Sequence, residues 1–229
     1  MSITKIPFIS LLVATVVVGS AHASVTVGGT RVVYDGSKKE TSLSVENKDK
    51  VANLVQSWVS PIDARSPSTE AIIITPPLFR LNAGEKNVLR IVRSGMPLPE
   101  DKESMYWLNV KGIPATDGEQ PNSSVQIAVN SRIKLIYRPK SLSNVIPESV
   151  TAQLSWKIVG NQLTVRNPTK FFMNFAVVTI NDKDIPAATF VAPESSASFA
   201  LPREITSGKI SWRIYNDFGM ASSVHKSSL

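Results

Sequence analysis

The sequence contains no cysteine and only two histidines, His22 and His225, in 229 residues. Without cysteine there is no disulfide framework, thiolate zinc site, iron–sulfur cluster or thiol nucleophile. Two histidines leave imidazole-based metal binding and acid–base catalysis short of residues. No glycine-rich phosphate loop is present: the closest glycine pair, Gly28-Gly29, runs into Thr30-Arg31 with no helix after it. Basic residues are spread along the chain rather than interleaved with aromatics, which argues against a nucleic-acid platform. No amphipathic helix of ten or more residues is readable. The residues therefore give no reason to expect a cofactor or a metal.

What is present is a 42% apolar chain, enough for packed cores, with a formal net charge of +7 that suits an anionic partner. Met1 to Ala23 reads as a signal peptide. Lys5 supplies the positive start, Ile6 to Val18 the apolar run, and Ala21-His22-Ala23 the small-x-small cleavage site. The apolar run is short for a membrane span of about 20 residues. Removal of this segment takes away Lys5 and His22. The predicted mature chain starts at Ser24 with a charge of +6 and has His225, near the C-terminus, as its one histidine. A Ser-His-Asp hydrolase would rest on a tail expected to fray. The expectation is an exported mature chain that does not insert into a membrane.

From there the chain reads as strands. Thr41, Leu43 and Val45 alternate with Ser42, Ser44 and Glu46. Further β patterns cover 53–60, 71–75, 87–92, 105–110, 124–137, 154–158, 163–165, 172–180, 196–201 and 209–215. Turn residues such as Asn47-Lys48-Asp49-Lys50, Asn82-Ala83-Gly84, Gly160-Asn161 and Asn181-Asp182 separate them. Short strands at this spacing predict an all-β protein of sandwich type. A Pro/Ser/Asn-rich patch around Ser141–Ile146 divides it: 1–23 signal peptide, 24–142 first sandwich, 143–229 second. Each part is close to the roughly 100 residues of an immunoglobulin-like domain, large enough to stand without disulfides.

Two features attract functional readings. Asp101 and Glu103 form a possible carboxylate pair, but they sit between Pro99 and Ser104 in what reads as a loop entering a strand. The segment 124–137 is more unusual. Val125, Ile127 and Val129 alternate with Gln126, Ala128 and Asn130, and the run continues through Arg132-Ile133-Lys134-Leu135-Ile136-Tyr137 to Pro139. Fourteen residues is far above the usual five or six. Such a strand either crosses its own core or serves as an edge to which a partner's sheet is added. Lys134 within an apolar run needs a partner. Trp58, Trp107, Trp156 and Trp212 read as packing residues, and Pro76-Pro77 as a tight turn compatible with a cis bond.

The segments Ser131 to Pro139, Thr30 to Tyr34, Ile74 to Leu81, Asn87 to Ile91 and Glu103 to Val110 together resemble the periplasmic pilus chaperones of the PapD type. Asn167-Pro168-Thr169 and Asn216-Asp217-Phe218-Gly219 extend the resemblance into the second half, so it spans the mature chain. It implies two immunoglobulin-like domains in a boomerang arrangement. It also implies a non-enzymatic role in the periplasm: holding fimbrial subunits by donor-strand complementation and passing them to an outer-membrane usher. On the matching positions, Val125, Ile127 and Val129 are the lent side chains, and Arg31 and Lys134 grip the subunit's C-terminal carboxylate. Glu103, Arg138 and Asp217 form the charged cluster that sets the angle between the domains. The short connection read from Pro114 to Asn122 resembles the short-loop branch of the family, and the absence of cysteine agrees.

Strict alternation puts Lys134 on the face opposite Val125, Ile127 and Val129, so either a bulge intervenes or the two groups point apart. An exposed apolar edge also predicts self-capping by association when unloaded. The alternatives are a structural pilus subunit, for which two whole domains and no cysteine are the wrong composition, and a periplasmic binding protein or hydrolase.

Overall fold

A computed structural model describes residues 25–64, 66–115, 126–202, 205 and 207–229. The expected signal peptide, Met1–Ala23, lies outside the described residues, as does Val125. The first sandwich contains β1 (Val25–Val27), β2 (Arg31–Asp35), β3 (Glu40–Asn47), β4 (Asn53–Pro61), β5 (Ile72–Thr75), β6 (Leu78–Leu81), β7 (Lys86–Arg93), β8 (Ser104–Pro114) and β9 (Val129–Arg138). The second contains β10 (Ser155–Val159), β11 (Gln162–Asn167), β12 (Met173–Ile180), β13 (Lys183–Asp184), β14 (Phe190–Val191), β15 (Ser195–Ala200), β16 (Lys209–Ile214) and β17 (His225–Ser228). The single α-helix among the described residues, α1 (Pro147–Val150), is one turn long. No helix among them is long and apolar enough to cross a membrane.

Alternation decides which side chains go inside. In β3, Leu43 and Val45 turn inward between exposed Ser42 and Ser44. They meet Leu89 and Ile91 of β7 on the same sheet, ordered β1-β3-β7-β5. The facing sheet, ordered β2-β9-β8-β4-β6, contributes Val32, Tyr34, Val55, Tyr106, Leu108, Leu135 and Tyr137. Tyr34 and Tyr137 meet edge to face at 5.8 Å, an arrangement their ring quadrupoles favour. The second core is separate. Trp156, Phe175 and Trp212 pack at its centre between β10-β11-β15 and β13-β12-β16-β17.

Buried asparagines lock the turns. Asn47 Nδ2 donates to the carbonyls of Val51 (2.8 Å) and Leu81 (3.0 Å), while its Oδ1 accepts from Asp49 N and Asn53 Nδ2. Asn167 does the same in the second sandwich, donating to Phe171 O and Ala192 O and accepting from Thr169 N and Oγ1. The Asn167-Pro168-Thr169 motif is therefore a turn lock. The peptide between Thr75 and Pro76 is cis.

Two sequence expectations are corrected. The long strand starts at Val129 rather than Ser124, and Gln126 to Ala128 are described but not paired. The short connection read as Pro114 to Asn122 lies, beyond Ala115, outside the described residues. The C-terminal tail, expected to fray, forms β17 against β16, with His225 stacked on Trp212. Leu142, the last residue of the 24–142 range, packs in the second core.

Candidate functional site

The site lies where β9 leaves the first sandwich and meets the second. β9 pairs antiparallel with β8 from Val129 to Tyr137 in an unbroken register, with no bulge. On its other side, β2 pairs in parallel from Arg31↔Lys134 to Asp35↔Arg138. Residues 134–138 are thus paired on both sides, whereas 129–133 pair with β8 on one side and, among the described residues, with no strand on the other.

The unbroken register decides the question of faces. Val129, Ile133, Leu135 and Tyr137 share the face of the first core, and Ile133, Leu135 and Tyr137 pack in it. Lys134, Ile136 and Arg138 face the second sandwich. Anchor and lent side chain point apart, with one strand serving two directions. Val129 is 40% exposed and Ile127 is 71% exposed.

Arg31 and Lys134 sit side by side in register. Lys134 Nζ donates to Asn174 Oδ1 at 2.6 Å and lies 5.2 Å from the Phe190 ring centroid, both in the second sandwich. Burial, reinforced by the neighbouring Arg31 charge, lowers its pKa from 10.5 to about 8. Arg31 lies over the Tyr215 ring at 5.0 Å, and its buried Nε finds no hydrogen-bond partner among the described residues. Burial pulls its pKa down too, against the opposing pull of Asp217 and Tyr215. The two cations line a cleft of about 380 Å³ together with Trp107, Arg132, Ile133 and Tyr215. Arg132 lies over Trp107 at 4.4 Å. An orphaned guanidinium N–H beside a desolvated ammonium is a donor set for an anion, and a carboxylate satisfies both at once.

The third predicted group is also assembled. Arg138 Nε donates to Glu103 Oε1 at 2.8 Å, and its two terminal nitrogens donate to the Asp217 carboxylate at 2.7 Å each. Glu103 Oε2 accepts from Phe172 N at 2.7 Å, and Glu103 N donates to Lys170 O. Both Glu103 and Arg138 are buried. Burial raises the Glu103 pKa to about 7, opposed by Arg138 and the Phe172 amide. Burial works against the Arg138 charge, but the bonds to Asp217 and Glu103 outweigh it and its pKa lies above the ordinary arginine value. Glu103 is thereby tied to a cation, and Asp101 is exposed on the loop outside. Among the described residues no cluster of three or more histidine, aspartate or glutamate side chains could hold a metal.

Sequence reasoning missed Asn174, Arg132, Trp107 and Tyr215 as members of this region. Asn174 left a visible trace: it is a polar residue inside the apolar run 172–180, where burial demands a partner.

Two sandwiches bridged by the Glu103–Arg138–Asp217 ion pairs, with a paired-cation cleft beside β9, define a two-domain all-β protein. Two family descriptions cover the chain: "Pili and flagellar-assembly chaperone, PapD N-terminal domain" at residues 24–143, and "Pili assembly chaperone PapD, C-terminal domain" at residues 149–226. The chain belongs to this pilus-chaperone family. It is 43% identical over 219 residues to the probable fimbrial chaperone LpfB of Escherichia coli O157:H7, covering 94% of this chain and 93% of that protein. It is 36% identical to the chaperone protein caf1M of Yersinia pestis, with 87% and 83% covered. Among solved structures, it matches the E. coli chaperone DraB at a TM-score of 0.79 and 38% identity, covering 90% and 96% of the two chains. The SafB chaperone, solved in complex with Salmonella enterica SafA pilin, matches at 0.82 and 36%, covering 92% and 99%.

Proposed function

We propose that this protein is a periplasmic chaperone that holds fimbrial subunits by donor-strand complementation and hands them to an outer-membrane usher. The observation that carries the reading is the Arg31–Lys134 pair at the point where β2 stops covering β9. A subunit strand added along 129–133 ends there, and a terminal carboxylate answers both desolvated cations. Charge-assisted hydrogen bonds of this kind contribute on the order of 1.5–3 kcal/mol each. Ile127 and Val129 stand exposed where a subunit's open groove would bury them, at about 1.5–3 kcal/mol per side chain before ordering costs. Apolar side chains supply much of the affinity and the anchor sets the register. The Glu103–Arg138–Asp217 cluster fixes the second sandwich so that Asn174 and Phe190 hold Lys134 in place. Export follows from the signal sequence read at 1–23. The unpaired edge at 129–133 favours self-association until a subunit covers it.

The test is co-expression with a fimbrial subunit. Wild-type protein keeps the subunit soluble and co-purifies with it, whereas Arg31→Ala and Lys134→Ala lose it. Subunit retained at wild-type yield by both variants would remove the anchor role.

A further inference from the structure

Several turns of this molecule are polar. Asn47 to Lys50, Asn82 to Gly84, Gly160-Asn161 and Asn181-Asp182 carry no large apolar side chain. The loop between β16 and β17 carries four exposed ones: Tyr215 at 38%, Phe218 at 85%, Met220 at 62% and Val224 at 53%.

This loop is held rigid from both ends. Asn216 Oδ1 accepts from Phe218 N at 3.0 Å and Met220 N at 2.9 Å, and Asn216 N donates to Met220 O at 2.8 Å. Arg213 braces its return through Ser222 O at 2.7 Å. Asp217 is clamped by Arg138, which ties the tip to the first sandwich. Gly219, at φ +83°, comes so close that a Cβ there would lie 2.2 Å from Thr30 Oγ1. Thr30 precedes Arg31, and Tyr215 lies beneath the Arg31 guanidinium. Gly219 and Tyr215 line the cation cleft, and Phe218 and Met220 are the chain neighbours of Gly219.

An apolar side chain held in water on a rigid loop gains nothing for the fold. It also pays little ordering entropy when a partner covers it, which is the property of an interface anchor. The partner is set by what lies beside it: paired cations with an N–H left unbonded among the described residues suit the carboxylate end of a polypeptide, whose preceding side chains come next to this loop.

We propose that Tyr215, Phe218 and Met220 form an apolar wall on the second sandwich that packs against large apolar side chains in the last residues of the bound subunit. It makes the site read the identity of the C-terminal residues as well as their charge. The inference rests on the anchor reading above, but it adds a contact from the second domain and a preference that Arg31 and Lys134 cannot supply.

The test uses the full mature chain and short soluble peptides of alternating valine and serine ending in phenylalanine acid, alanine acid or phenylalanine amide, titrated to millimolar concentration and followed by NMR. Wild-type protein prefers the phenylalanine acid over the alanine acid by about tenfold. The Phe218→Ala/Met220→Ala variant keeps its preference for acid over amide but reduces the phenylalanine preference to about twofold or less. Phe218→Tyr retains it. An unchanged urea midpoint in each variant shows that the fold is intact, as expected for exposed positions. A wild type without phenylalanine preference, or a double variant that keeps it, overturns the wall while leaving the anchor standing. Equal binding of acid and amide by the wild type, or no binding of any peptide, overturns the anchor and the wall with it.

Discussion

Replacing Arg138 by methionine tests the hinge most directly, because the cost depends on pH in a way that a packing defect does not reproduce. Methionine keeps much of the volume and removes the cation between Glu103 (2.8 Å) and Asp217 (2.7 Å). Arg138 is the strongest influence holding the Glu103 pKa down, so its loss pushes that pKa further above 7, and only at clearly alkaline pH is ionised Glu103 left buried with the Phe172 amide as its donor among the described residues. Breaking a buried pair from one side costs about 3–5 kcal/mol. The Glu103 pKa in the folded chain is already raised from 4.5 to about 7. The folded state therefore holds a proton that the unfolded state has released between those values. This group's contribution to stability is present below pH 4.5 and is lost as pH rises to 7, by an amount on the order of 3 kcal/mol. Near pH 5 the Glu103 carboxyl of the variant is neutral, and the penalty falls to the half-exposed Asp217 contact and some packing, about 1 kcal/mol. Urea unfolding, followed by tryptophan fluorescence near pH 5 and near pH 9.5, measures both values; Trp107 reports on the first sandwich and Trp156 and Trp212 on the second. Glu103→Gln, which cannot ionise, should flatten the wild-type slope and abolish the pH dependence of the Arg138→Met penalty. A penalty equal at both pH values, or one that survives Glu103→Gln unchanged, refutes the reasoning.

Three further outcomes are expected. Affinity for a carboxylate-ended strand peptide is full below about pH 8, the free-state pKa of Lys134, and declines as pH rises through it, whereas Lys134→Arg removes that decline; titrations from neutral to alkaline pH read this. Ile127→Ser and Val129→Ser each weaken subunit binding by about 1.5–3 kcal/mol but leave the urea midpoint within about 0.5 kcal/mol of wild type, because both side chains are exposed in the free protein. Gly219→Ala forces a side chain into φ +83° against Thr30 and destabilises the junction by about 1–3 kcal/mol, seen as earlier protease cleavage around Pro139 to Ser143.

The strands that alternate cleanly or carry β-branched runs were legible in the sequence: β3, β4, β7, β8, β11, β12 and β16 fall within a few residues of their expected places. The missed ones are short or lack the pattern. β6 follows two prolines. β13 and β14 are two residues each. β17, His-Lys-Ser-Ser, is polar because one side faces water, and only its pairing with β16 makes it a strand. The extent of β9 was overread for a similar reason. Periodicity along 124–137 records what each side chain prefers, but the pairing of β9 with β8 begins only at Val129, opposite Gly112. Of the site, the cations were assigned through the family resemblance. The residues that hold them, Asn174 and Tyr215, come from the other sandwich, at a sequence distance no local pattern reports.

The parallel pairing of β2 with β9 has a consequence for direction. A strand laid against 129–133 lies end to end with β2, because Arg31↔Lys134 is where β2 begins. If it runs parallel to β9, its C-terminus meets Arg31 and Lys134. If it runs antiparallel, its N-terminal ammonium or a continuing backbone meets two desolvated cations instead. At an effective dielectric near 20, reversing the sign of one unit charge about 4 Å from another changes the energy by several kcal/mol. Parallel pairing is slightly weaker per residue than antiparallel, so hydrogen bonds alone would favour the wrong polarity. The cation pair is large enough to reverse that preference over a strand of five residues. An amidated C-terminus should therefore lose orientation as well as affinity. A spin label at one peptide end, broadening the amide signals of 129–133 or of 30–34 according to direction, would show a single orientation for the acid and a mixture for the amide. The same orientation in both would mean that the groove, rather than the charge, sets the polarity.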